Sequence, residues 1–154
     1  MFVSTSRYSQ KAARGLAIAL ASAAGSVYAA RGKKSIERLV SEARRKGENT
    51  IALVSEKSIS FISVSASGWN WKKEIVRITG YVIKTEDGEG GGEAGAFEGK
   101  DGPVFQNLFG ADGFHTGGIS IRAERGKLEF TDEEGKQLLE INYEVATNEE
   151  PRSD

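Results

Sequence analysis

Three short apolar runs alternate with two helical segments in the first 56 residues, and no other feature restricts the fold as much. Strands joined through helices pair in parallel, because a helical crossover returns the chain to the same end of the sheet. The runs are "MFVSTS", "SVYAA" and "TIALVSE". Between the first two, Ser9 is placed to cap a helix over residues 10–24, with Ala13, Leu16, Ala17 and Leu20 at helical spacing and Gly25 as its stop. Between the second and third, Ser35 caps a helix carrying Ile36, Leu39, Val40 and Ala43 at i, i+3, i+4 and i+7. Glu37 falls in its first turn, Arg44, Arg45 and Lys46 in its last, and Gly47 just beyond, a polarity that complements the helix dipole. The expectation is an α/β (α+β) chain: a mixed sheet with both N-terminal helices on one side. Ala13, Leu16, Leu20, Ile36, Leu39, Val40, Leu53 and Val54 are expected to be buried.

Downstream, "SISFISVS" and "WKKEIVRITGYVIK" read as strands of a meander, with Ile59, Phe61, Ile62 and Val64 competing for the inner face. Residues 85–102, "TEDGEGGGEAGAFEGKDG", read as a flexible Gly/acid-rich loop joining halves at about 1–84 and 103–147. "PVFQNLFG" suits one short helix. "GISIRAERGKLEFTDEEGKQLLEINYEV" suits three strands, with turns at Gly126 and at Glu133-Glu134-Gly135. Residues 1–147 are expected to form one domain, and 148–154 a frayed tail.

The formal net charge of −1 conceals an asymmetry. Residues 1–50 hold ten Lys/Arg against three acids, a net +7, and residues 51–154 hold eleven against nineteen, a net −8. A basic N-terminal face of this kind attracts a polyanion even in a near-neutral protein. The chain has no cysteine, which excludes disulfides and thiolate metal sites and suits a reducing, cytoplasmic interior. With His115 as the one histidine, no His-based metal site and no cofactor is expected. "RGLAIALASAAGS" imitates a signal peptide, with its Ala21-Ser22-Ala23 triplet. The run is mostly alanine and follows a strand, so a core helix is the better reading. No stretch reaches the roughly 18 apolar residues of a membrane span.

"YAARGKKSIERLV" carries the most chemistry. A phosphate-binding loop of the nucleotide-hydrolase kind needs a glycine five residues before Gly32, where Val27 stands, and a Ser or Thr directly after the lysine. Ser35 falls one residue late, so that motif fails. A grip on a phosphate backbone needs less: cations at the strand-to-helix junctions, where free helix N–H groups also point. Arg31, Lys33 and Lys34 sit at one junction and Arg7 at the equivalent one. In a parallel α/β sheet both lie at the carboxyl edge of the strands, where ligands bind. "SGWNWKK" offers a second candidate, Trp69 and Trp71 as stacking surfaces with Lys72 beside them. The bland alternative for the lysines is a solvated turn, and for the tryptophans a sheet-edge cover. No catalytic residues stand out: His115 has no partner, and the acids form no pair marked as acid and base.

Taken together, "STSRYSQKAARGLAIAL", "YAARGKKSIERLVSEAR" and "IALVSEK" resemble the Brix-domain family in its short, single-domain archaeal form. The family's Thr-Ser-Arg turn corresponds to Thr5-Ser6-Arg7, and its Arg-Gly-x-x-Ser turn to Arg31-Gly32-Lys33-Lys34-Ser35. The match runs over about residues 3–57 and thins beyond to "FQNLFG" and a strand-rich end. A second Thr-Ser-Arg turn is absent from the C-terminal half. The resemblance implies two similar α/β halves, like the anticodon-binding domain of class II aminoacyl-tRNA synthetases. It also implies a role in ribosome biogenesis through binding of ribosomal RNA or its precursor, and with no catalytic constellation in the sequence the chain is not expected to be an enzyme. The RNA-binding candidates are Ser6, Arg7, Lys11, Arg14, Arg31, Gly32, Lys33, Lys34, Ser35, Trp69, Trp71 and Lys72. The competing reading is a scaffold whose acidic C-terminal half docks a basic ribosomal protein or another assembly factor.

Overall fold

The computed structural model describes residues 1–84, 93–111 and 117–147. The elements run β1 (Phe2–Thr5), α1 (Lys11–Ala23), β2 (Val27–Tyr28), α2 (Ile36–Arg45), β3 (Thr50–Val54), β4 (Ser58–Val64) and β5 (Trp69–Ile83). They continue with β6 (Ala94–Glu98), α3 (Gly102–Leu108), β7 (Ile119–Glu124), β8 (Lys127–Thr131) and β9 (Gln137–Thr147). The nine strands form one mixed sheet in the order β2-β1-β3-β4-β5-β9-β8-β7-β6. β1 lies between β2 and β3 and is parallel to both.

That order corrects the expectation that α1 and α2 share one side. The chain crosses from β1 outward to β2 and then back past β1 to β3. Two right-handed crossovers in opposite directions put their helices on opposite faces. The alternation of side chains records it. Val3, Ala52 and Val54 cluster with Leu16 and Leu20 of α1, whereas Phe2, Ile51 and Leu53 cluster with Leu39, Val40 and Ala43 of α2. The eight residues expected in the core are all buried.

β4 is covered on both faces, which settles the competition within "SISFISVS". Ile59 and Phe61 join the α1 side; Ile62 and Val64 join the α2 side. β3 to β5 form an antiparallel meander, and a register shift interrupts the β4–β5 pairing between Ser60 and Ile62. The second half repeats the plan: a strand, a helix and a parallel strand (β6-α3-β7), then a meander through β8 to β9. The last strands of the two meanders, β5 and β9, pair antiparallel and make the sheet continuous.

Helix α1 packs in one cluster with residues from both halves, including Phe105, Leu128, Leu139 and Ile141. Ala13, Ala17, Ala19, Ala21 and Ala23 are all buried, so the alanine run that resembles an export signal serves close packing on several sides. The N-cap is Gln10, without a side-chain bond, rather than Ser9. Ser9 is drawn away because its hydroxyl donates to the Ser6 carbonyl at 2.7 Å. Ser35 does cap α2, its Oγ accepting from the Arg38 N–H at 3.1 Å.

The expected loop over residues 85–102 is corrected in part. Residues 85–92 lie outside the described residues, but Ala94–Glu98 is strand β6 and Gly102 opens α3. The glycines there serve close approach: a Cβ on Gly95 would collide with the Gly117 carbonyl oxygen. Composition alone does not separate a glycine needed for contact from one in a linker. His115 and the tail 148–154 also fall outside the described residues. Among the described residues, no helix is long and apolar enough to cross a membrane, and no cluster of His, Asp and Glu could hold a metal ion.

Candidate nucleic-acid interface

Because β1, β2 and β3 are parallel, the loops that follow them emerge at one edge of the sheet. The β1–α1 loop is fixed there by its own turn, in which the Ser9 N–H and hydroxyl both donate to the Ser6 carbonyl. The Ser6 N–H donates to the Val54 carbonyl at 3.0 Å, which sets this loop beside the turn between β3 and β4. The Gln10 N–H donates to the Glu56 carboxylate in that turn. This main-chain bond is the chief reason Glu56 titrates below the usual carboxylate range.

Arg31 joins the second junction to the first. Its Nε donates to the Lys34 carbonyl at 2.7 Å and its Nη1 to the Thr5 carbonyl at 3.1 Å. The residue is only 3% exposed. A guanidinium suits this post, because its fixed fork of donors spans two acceptors at once. Gly32 supplies the left-handed bend the loop requires, with φ +54°. Arg31 therefore braces the edge from inside, whereas the sequence reading places it outward against a phosphate.

The other candidates divide by exposure. Lys11, Arg14 and Lys33 are exposed, and Ser6 and Arg7 are half-buried. Lys34 is half-buried, its ammonium 3.1 Å from Glu42. Arg38 reaches the same carboxylate at 3.4 Å. Burial raises the Glu42 pKa, but hydrogen bonds and charge from Lys34 and Arg38 outweigh it, and the carboxyl titrates below its usual range. Ser35 is occupied with its cap.

Trp69, Trp71 and Lys72 are not part of this edge. Trp69 pairs with Val64, at the far end of β4, where β3 begins. Both tryptophans are half-buried against the α2-side core, with ring centroids 6.0 Å apart in an edge-to-face contact. Arg44 of α2 donates to the Ser65 and Gly68 carbonyls of the adjoining turn. Lys72 points to the opposite face, where its ammonium donates to the carbonyls of Asn107 (2.8 Å) and Leu108 (3.1 Å) and offsets the negative end of α3. These residues hold the sheet to its helices.

Two residues at the basic edge escaped the sequence reading. Lys57 is exposed in the β3–β4 turn, one residue after Glu56, which the parallel β1–β3 register sets beside Gln10. Tyr8 stands 94% exposed between Arg7 and Ser9. No local signal marks either one; a topology with β1 beside β3 would have found Lys57.

No known family model matches the chain, and no curated protein matches it in sequence. The fold is shared with solved structures. One is Mil, an archaeal Imp4-like protein: 20% identity over 96% of this chain and 100% of that one, with a TM-score of 0.66. Another is a probable ribosomal biogenesis protein from Aeropyrum pernix K1: 19% identity over 97% of this chain and 96% of that one, with a TM-score of 0.69.

Proposed function

We propose that the chain is a ribosome biogenesis factor, without catalytic activity, that grips the backbone of ribosomal RNA or its precursor at the carboxyl edge of β1–β3. One observation carries the reading. The bonds from Arg31 to Thr5 and to Lys34 hold two cationic junctions side by side, and the β3–β4 turn beside them carries Lys57 next to Glu56. Arg7, Lys11, Lys33 and Lys57 all belong to the segments at this edge, Lys11, Lys33 and Lys57 exposed and Arg7 half-buried, with the acids Glu56 and Glu37 among them. The fold shared with an Imp4-like protein and a probable ribosomal biogenesis protein supports the same role. A backbone grip of this kind recognises charge spacing rather than sequence.

Binding of ribosomal RNA fragments at several salt concentrations tests it. Replacing Lys11, Lys33 and Lys57 together with glutamine is expected to weaken all RNA sequences alike. The log–log salt slope is expected to fall by about two, from about 0.7 for each lost single-strand contact. Unchanged affinity and unchanged slope would turn the assignment toward the protein-docking scaffold.

A further inference from the structure

Both tryptophans are half-buried against the α2-side core and lie away from the basic edge, where Tyr8 presents an exposed aromatic ring. Tyr8 is 94% exposed, the most exposed of the large hydrophobic side chains among the described residues. Its backbone is unusual as well, with φ +63°. It is the third residue of the turn closed by the Ser9 N–H and the Ser6 carbonyl, a position where positive φ favours glycine or asparagine. A bulky aromatic residue held in the left-handed region is strained, and such strain gathers at binding sites. The fold gains almost nothing in return, since the ring buries little surface. The flanking cations are Arg7 and Lys11, and the Arg31 bond to Thr5 brings the Lys33 loop alongside.

We propose that Tyr8 is a stacking platform for an unpaired nucleobase, with the cations of the same edge holding the phosphates on either side. The inference rests on the backbone-grip reading and adds a preference to it: single-stranded RNA over duplex. In a duplex the base faces are already stacked and cannot lie on the ring, whereas every unpaired base presents a face to it. The tyrosine hydroxyl at the ring's outer end remains in water.

The test compares the wild-type protein with Tyr8→Gly and Tyr8→Trp on three probes. These are a short unpaired oligoribonucleotide, the same strand carrying abasic sites, and a duplex of equal length. Glycine suits the positive φ, so Tyr8→Gly removes the ring while the thermal midpoint is held or slightly raised. Its affinity for the unpaired strand is expected to fall about five- to hundred-fold, as for loss of one base–aromatic stack. Affinity for the abasic strand and the duplex, and the salt slope on every probe, should be unchanged. Tyr8→Trp should bind the unpaired strand at least as tightly as wild type. If Tyr8→Gly binds the unpaired strand like wild type, or weakens all three probes equally, the stacking inference is overturned while the backbone grip stands. If the wild-type protein binds none of the probes at low salt, the grip and the platform fall together.

Discussion

The Arg31 guanidinium donates to the carbonyl of Thr5, 26 positions away in the chain, at 3.1 Å. That bond makes one edge out of two loops. Truncating Arg31 to alanine removes the donor from a buried carbonyl, which costs about 1–3 kcal/mol. Urea denaturation should show that loss. Lysine at this position should recover only part of it, since one ammonium cannot replace both Nε and Nη1. RNA affinity should fall with the alanine variant even though Arg31 is buried, because the junctions it braces lose their relative placement. Arg31→Ala with wild-type stability would show that the loops hold themselves.

The difference between Ser35 and Arg31 shows what the sequence could and could not reveal. The cap at Ser35 is local, since serine, helix start and amphipathic spacing lie within a few residues, and it was legible. The same holds for the buried faces of α1 and α2. Arg31 was legible as a cation but not as a brace, because its partner Thr5 is set by strand order. The opposite placement of the two helices depends on β1 lying between β2 and β3, and Lys57 reaches the edge through the same order. Trp69 and Trp71 were legible as a pair on one strand face, but their packing against the α2-side core was not, because it depends on the helix that covers that face.

Leu39 is fully buried between α2 and the sheet. Leu39→Ala should destabilise the protein by about 2–5 kcal/mol, the sum of lost transfer energy and the cavity left behind. Chemical denaturation measures this directly. A loss below about 0.5 kcal/mol would mean that the α2 face collapses onto the gap or is not the packed face.

Two glycines should respond to alanine with opposite signs. At Gly95 the new Cβ would collide with the Gly117 carbonyl oxygen, so β6 must shift. Overpacking of this kind costs about 1–3 kcal/mol. Gly15 lies within α1 with nothing within 4 Å of its would-be Cβ. There alanine should stabilise by about 0.5–1 kcal/mol through helix propensity. Thermal unfolding of the two variants separates a contact glycine from a tolerated one. A neutral Gly95→Ala would indicate that the segment around it behaves as the linker its composition suggests.

Glu42 accepts from Lys34 at 3.1 Å and from Arg38 at 3.4 Å, and its pKa is lowered in the folded protein. A depressed carboxyl pKa means that the unfolded chain holds the proton more tightly than the folded one. Its stabilisation is therefore fully present above the unfolded value of about 4.3 and disappears as pH falls through the lower folded value. Glu42→Gln removes the charge at every pH. At neutral pH the wild type should exceed this variant by about 0.2–1 kcal/mol, the range for partly exposed ion pairs. The gap should narrow with added salt and close in acid, once Glu42 is protonated in both states. Paired urea titrations at neutral and acidic pH give the difference. A gap that persists unchanged in acid would assign the effect of the substitution to side-chain packing instead of charge, and Lys34 would then be as available to a phosphate as its exposed neighbour Lys33.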